Sequence, residues 1–206
     1  MRFVTILKNI SPLFVLFICG CTSPHFASLD KTVFSPVYWN KSMTEQQAKE
    51  SRLQIEQSLT RENVENAQKV ILYSRQEKVS ELLLADLYTE VTNRLLQTAE
   101  QERIKGKPDK AGRFYRMAQE IYPEDSRLQS TITLSLDKID SNIDQCADII
   151  MQEGLIAYRM GDLNRAIKIW QEIAPFHPTH SPSSIASNTA RQQLKNLEML
   201  STERAL

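Results

Sequence analysis

Apolar residues recur along most of this chain at steps of three and four, the spacing that lines one face of an α-helix. Ser42 with Glu45 matches a capping box and predicts a helix start. A second start near Thr60 precedes Val64, Ala67, Ile71 and Ser74 on one face. Leu84, Leu87, Tyr88, Val91, Leu95 and Ala99 then form a strong stripe, which Gly106 and Pro108 end. A helix from about Pro108 to Tyr122 follows. The next stripe is long: Ile132, Leu136, Ile139, Ile143, Cys146, Ile150, Gly154 and Ala157, ending near Gly161. It predicts either one unusually long helix, about Arg127 to Met160, or two helices broken near the Asp-Ser-Asn-Ile-Asp run at 140–144. A helix from Leu163 to about Ala174, a proline-containing loop, and a last helix from about Ile185 to Leu200 complete the pattern. That last helix carries Ala190, Leu194, Leu197 and Met199 or Leu200 on its stripe. No segment alternates apolar and polar residues as a strand does, so the predicted class is all-α.

Two stretches share a layout. Gly106 to Pro123 and Gly161 to Pro178 each open on glycine and close on proline, with Ala111 matching Ala166, Tyr115 matching Trp170 and Ile121 matching Phe176. The glycines predict a tight turn between two antiparallel helices. The alanines predict a close helix approach, and Tyr115 and Trp170, one turn later, should fill the groove against the neighbouring helix. The prolines are expected to end each second helix. One hairpin cannot bury its own apolar face, so such units stack.

With Gly154, Ala157 and Tyr158 in the preceding helix, the second stretch resembles the tetratricopeptide-repeat family. The first has Ala99, Gly106, Ala111, Tyr115, Ala118 and Pro123 in place and departs at Glu102, where a tyrosine is common. The copies lie 55 residues apart, against about 34 in the family, so the resemblance implies an irregular α-α superhelix over 84–200 with a capping helix at its end. An unrelated antiparallel bundle is the alternative. In that family the first helix of each hairpin lines a concave groove that takes an extended peptide or a partner helix, here the 84–104 and 127–160 helices.

The opening segment is of another kind. Arg2 and Lys8 precede an apolar run from Ile10 to Cys21, broken only by Ser11. This has the layout of a secretory signal, and the run is about half of the roughly 20 residues a membrane-spanning helix needs. Its end, Ile18-Cys19-Gly20-Cys21, resembles a bacterial lipobox, with Cys19 as the departure. That resemblance implies cleavage after residue 20 and acylation of Cys21, preceded by the small Gly20. Thr22, where the family's inner-membrane retention signal is usually Asp, implies the outer membrane, facing the periplasm. Residues 21–41 read as a lipidated tether, 42–83 as helices packing on the array, and 201–206 as a tail.

Composition narrows the chemistry. A formal net charge of zero gives no reason to expect nucleic acid or an anionic surface as a partner. Three histidines, with His177 and His180 in one loop, offer no metal set, and no phosphate-binding loop or nucleophile elbow is present. No cofactor or catalytic residue is predicted. Cys146, on an apolar stripe, reads as a buried thiol without a disulfide partner. The expected function is a non-enzymatic adaptor, held to the membrane by lipid on Cys21 and binding a protein partner in an envelope assembly: secretion, pilus, outer-membrane biogenesis or cell-wall machinery. The alternatives are a regulator of an envelope sensor kinase and a ligand-binding or enzymatic helical domain.

Overall fold

The computed structural model describes residues 36–203, in which every regular element is helical. Helices α1 (Pro36–Thr60) and α2 (Val64–Gln76) come first, followed by a 3-10 turn, Glu81–Leu84. Helix α3 (Ala85–Ile104) turns into α4 (Pro108–Glu120), and a single turn, α5 (Ser126–Gln129), leads to α6 (Leu136–Arg159). Helix α7 (Leu163–Gln171) returns along α6, and α8 (Ser181–Glu203) closes the series. Each helix packs chiefly on its neighbours in sequence: α1 on α2, α3 on α4, α6 on α7, α7 on α8, with α4 on α6 joining the two central hairpins. The fold is all-α and repeat-like.

Local chemistry explains most of the boundaries. Asn63 accepts the Asn66 N–H at 2.9 Å and Asp162 accepts the Arg165 N–H at 3.0 Å, capping α2 and α7. Ser135 caps α6, and Pro108 occupies the first turn of α4. Gly106 (φ +69°) and Gly161 (φ +80°) sit in the left-handed region at the two hairpin turns. A Cβ there would touch nothing within 4 Å, so the backbone conformation alone calls for glycine.

The sequence stripes are the core. Ile71, Leu84, Tyr88, Val91, Leu95, Ala99, Tyr115, Ile139, Cys146 and Phe176 are fully buried in one cluster. A smaller cluster gathers Ala157, Ala166, Trp170 and Ala190.

Several expectations are corrected. Helix α1 begins at Pro36 rather than Ser42, so residues 36–41 of the expected tether are helical; proline at the first turn loses no backbone hydrogen bond. The same helix runs through to Thr60, and the second start lies at Val64. The long stripe breaks at 130–135, not at 140–144, because Ser135 caps a new helix there. Ile132 remains buried in the turn while Leu136 is exposed. Helix α7 ends at Gln171, and α8 starts at Ser181 and leaves Leu197, Met199 and Leu200 more than half exposed. Residues 1–35, with the lipobox, Cys21 and most of the tether, and 204–206 of the tail lie outside the described residues.

Acid should weaken this fold. The Arg52 guanidinium holds the Asp86 carboxyl below its ordinary value, Arg103 does so for Glu100, and Arg127 pulls Asp125 down to about 2. Lowered folded-state values mean that the unfolded chain binds protons first, so this stability is complete above the ordinary carboxylate range and is lost as pH falls toward 2. Glu172, raised by burial, acts in the opposite sense. The thermal midpoint is expected to fall steadily between about pH 5 and pH 2, and Arg52→Met should flatten part of that slope. A midpoint independent of pH over this range would contradict the assignment.

Candidate functional site

Between α3 and α6 runs an open groove of about 760 Å³. Its α3 wall presents Glu90, Asn93, Arg94, Gln97, Glu100 and Arg103, at helical steps on the face away from the buried stripe. Lys138, Asn142 and Gln145 come from α6, Tyr115 of α4 from below, and Thr133 and Leu134 close one end.

The α3 wall is internally paired. Arg94 bonds Glu90 at 2.6 Å, and Arg103 forks onto both oxygens of Glu100 at 2.6 and 2.8 Å. The Tyr115 hydroxyl donates to the same carboxylate at 3.0 Å, tying α4 to α3 at the groove floor. Burial and the Glu100 carboxylate together raise the Tyr115 phenol to about 12, so it is a hydrogen-bond donor and not a base. Asn93 donates to the Thr131 carbonyl at 3.1 Å and accepts the Thr133 N–H at 2.9 Å, which docks the 130–135 turn as the end wall. The Thr89 and Thr131 hydroxyls add a bond of 2.8 Å.

The α6 wall is not paired in this way. Asn142 is 9% exposed, with its amide open to the groove, and Lys138 has no ion pair among the described residues. Gln145 reaches only Ser141, at 3.3 Å.

No protein-family model matches this sequence, and no curated protein is detectably similar to it.

The residues singled out from the sequence divide into those that shape the stack and those that do not. Ala111 and Ala166 are fully buried, as are Tyr115 and, within 2%, Trp170. Trp170 lies against Gly154, where a Cβ would come within 2.1 Å of the indole nitrogen, and it donates to the Met151 carbonyl at 3.1 Å. Pro123 is buried just beyond the end of α4. Pro178 is exposed and ends nothing, because α7 has already stopped seven residues earlier. His177 bonds Asp144 at 3.0 Å and lies beside His180, the rings tilted 57° apart; no cluster of metal-ligating side chains occurs among the described residues.

Sequence reasoning missed Gly112. A Cβ there would lie 2.6–2.8 Å from the Phe176 ring, which reaches back from beyond α7 onto α4 and locks one hairpin to the next. A glycine inside an otherwise regular helix was the available signal.

Cys146 is fully buried in the core and does not line the groove, and burial raises its thiol to about 11. It is expected to resist thiol reagents at pH 8 in the folded chain and to react fully in denaturant. Equal rates in the two states would show that it is accessible.

Proposed function

We propose that this protein is a lipid-anchored adaptor of the cell envelope: a tetratricopeptide-like stack attached through Cys21 to the outer membrane, facing the periplasm, and holding a protein partner in the α3–α6 groove. The observation that carries this reading is the groove itself, open along two helices of a repeat-like stack. Its polar residues are spread along the walls rather than converging on a point, and Tyr115 at its floor is held neutral. That favours recognition of a chain over chemistry on a small molecule. The anchor rests on the signal-like segment and the Ile18-Cys19-Gly20-Cys21 run. No helix among the described residues is long and apolar enough to cross a membrane. One acyl chain binds membranes only marginally, so stable attachment at Cys21 calls for two or more.

Two measurements test this. Cys21→Ser should abolish fatty-acid incorporation and move the protein from the membrane fraction to the soluble periplasmic fraction; retention in the membrane would defeat the anchor. A photo-crosslinking residue at Gln97, inside the groove, should capture a discrete partner in cells that the same residue at Lys195 on α8 does not. Identical capture from both positions, or none from Gln97, would defeat the adaptor reading.

A further inference from the structure

The chain's formal net charge is zero, but the fold does not spread its charges evenly. Helices α4 and α6 pack along each other and run antiparallel, for Gln119 near the end of α4 bonds Asp140 near the start of α6. The α3–α4 and α6–α7 turns, at Gly106 and Gly161, therefore lie at one edge of the stack, and the connection from α4 to α6 lies at the other. Around the two turns, residues 102–110 and 159–165 hold six basic and three acidic side chains. The stretch 116–140 at the opposite edge holds three basic and five acidic ones, so the charges are segregated.

Most of the acids at the turn edge are occupied. Glu102 pairs with Lys105 at 2.7 Å, and Asp162 caps α7. Lys107, Lys110, Arg159 and Arg165 are exposed and have no ion pair among the described residues. Three of these four stand where helix electrostatics disfavours them. Lys107 is the N-cap of α4 and makes no side-chain cap bond, while Lys110 and Arg165 lie in the first turns of α4 and α7. The positive end of a helix dipole repels a cation there. The counterpart of Lys107 in the second hairpin, 55 residues on, is Asp162, which does cap its helix. Folding gains nothing from these cations.

The same turns present apolar residues to solvent. Ile104 at the end of α3 is 73% exposed and Met160 just after α6 is 75% exposed, more than any other large hydrophobic residue among the described ones. Each sits beside a cation, Ile104 next to Lys105 and Met160 next to Arg159. The turn between α1 and α2 has no exposed large hydrophobic residue and sets Glu62 beside Arg61.

We infer that the edge formed by the two central turns rests on an anionic lipid surface, with Lys107, Lys110, Arg159 and Arg165 at the headgroup phosphates and Ile104 and Met160 dipping into the interface. Cations around an exposed aliphatic side chain are the combination that interfacial binding uses, since charge draws the protein to the headgroups and apolar area holds it there. Two protruding turns fit a flat partner rather than a pocketed one. This goes beyond the adaptor reading and uses neither the acyl chain on Cys21 nor the α3–α6 groove. Each cation near an anionic bilayer strengthens binding about fivefold, and salt screens the effect. A membrane fraction washed at high salt therefore still reports the Cys21 anchor alone.

The test is flotation of the full chain, carrying Cys21→Ser so that no acyl chain contributes, with vesicles of phosphatidylglycerol and phosphatidylcholine or of phosphatidylcholine alone. The opening apolar segment is common to every variant, so the readout is what each substitution removes. Anionic vesicles should bind at least about tenfold more tightly, and the excess should vanish in about 0.5 M salt. Lys107→Asp combined with Lys110→Glu should remove most of that excess while leaving the thermal midpoint unchanged or higher, because an acid suits the first turn of a helix. Ile104→Ser combined with Met160→Ser should weaken binding to the anionic vesicles at least about threefold with the melt unchanged. The proposal fails if both vesicles bind alike, if the Lys107→Asp/Lys110→Glu protein floats as before, or if the Ile104→Ser/Met160→Ser protein does. A photo-crosslinking residue at Lys110 that captures one discrete protein, while both vesicles bind alike, would assign the edge to an acidic protein instead. None of these results bears on acylation of Cys21 or on capture at Gln97, so the adaptor reading stands or falls separately.

Discussion

Trp170→Ala is expected to destabilise the protein by about 3–5 kcal/mol, the range for removing a large aromatic from a packed site. The ring is 2% exposed, its N–H satisfies the Met151 carbonyl, and Tyr158 packs at 5.9 Å between centroids. Truncation would empty the space between α6 and α7 and remove that bond. The partner substitution tests the same contact from the other side. In an exposed helix Gly→Ala gains about 1 kcal/mol. At Gly154 the new methyl would meet three indole atoms at 2.1–2.6 Å, and the indole is held by its own hydrogen bond. Overpacking of this kind costs about 1–3 kcal/mol or more, so the clash should win and Gly154→Ala should destabilise. In a Trp170→Phe background the clash is relieved, and the urea-denaturation cycle should show a coupling of at least about 1 kcal/mol. Additive effects would mean that Gly154 is not there for the indole.

Arg75→Ala is expected to cost about 3 kcal/mol, because it strips a nearly buried carboxylate and two carbonyls at once. The guanidinium bonds the Glu120 carbonyl at 2.8 Å, the Tyr122 carbonyl at 3.0 Å and the Glu81 carboxylate at 2.9 Å. It also lies 5.7 Å from the Tyr88 ring centroid. Glu81 in turn accepts the Glu124 and Asp125 N–H groups at 2.9 and 3.2 Å. This pair clamps the end of α4 and the connection beyond it, which carries the turn that ends the groove. Arg75→Lys should recover less than half of the loss, since an ammonium cannot span three divergent acceptors. Hydrogen exchange should rise first at 121–134. A uniform rise over the whole chain would refute the clamp.

Much of the stack was legible in the residues alone because its signals are short-range. The glycines at 106 and 161 mark positive φ, and the stripe from Leu84 to Ala99 is buried throughout. Even the choice of small residue is consistent across the copies: Ala99 is the counterpart of Gly154, and Tyr115 of the larger Trp170. A groove does run between the 84–104 segment and α6, the second part of the expected 127–160 helix, with Tyr115 of α4 beneath it. What failed was long-range or masked by a competing local signal. Ser42 and Glu45 imitate a helix start that Pro36 makes earlier. Ser135 outweighs the apolar period that ran past it, breaking the predicted long helix. The stripe of the last helix continues past Leu194, but among the described residues no helix lies over it there.

By itself, then, the sequence determined that the chain is helical, where its two central hairpins turn, which side chains wedge them, and which opening residues resemble a lipid-attachment signal. These follow from periodicity and from glycine and proline geometry, which act over a few residues. Tertiary structure alone decided that Phe176 would reach back to Gly112, that Arg75 would clamp the far end of α4, and that Asn142 would stand on the groove wall. Each of these depends on how the 121–135 connection sets α6 against α3 and α4, and that placement is fixed by the summed packing of whole helices rather than by any local motif.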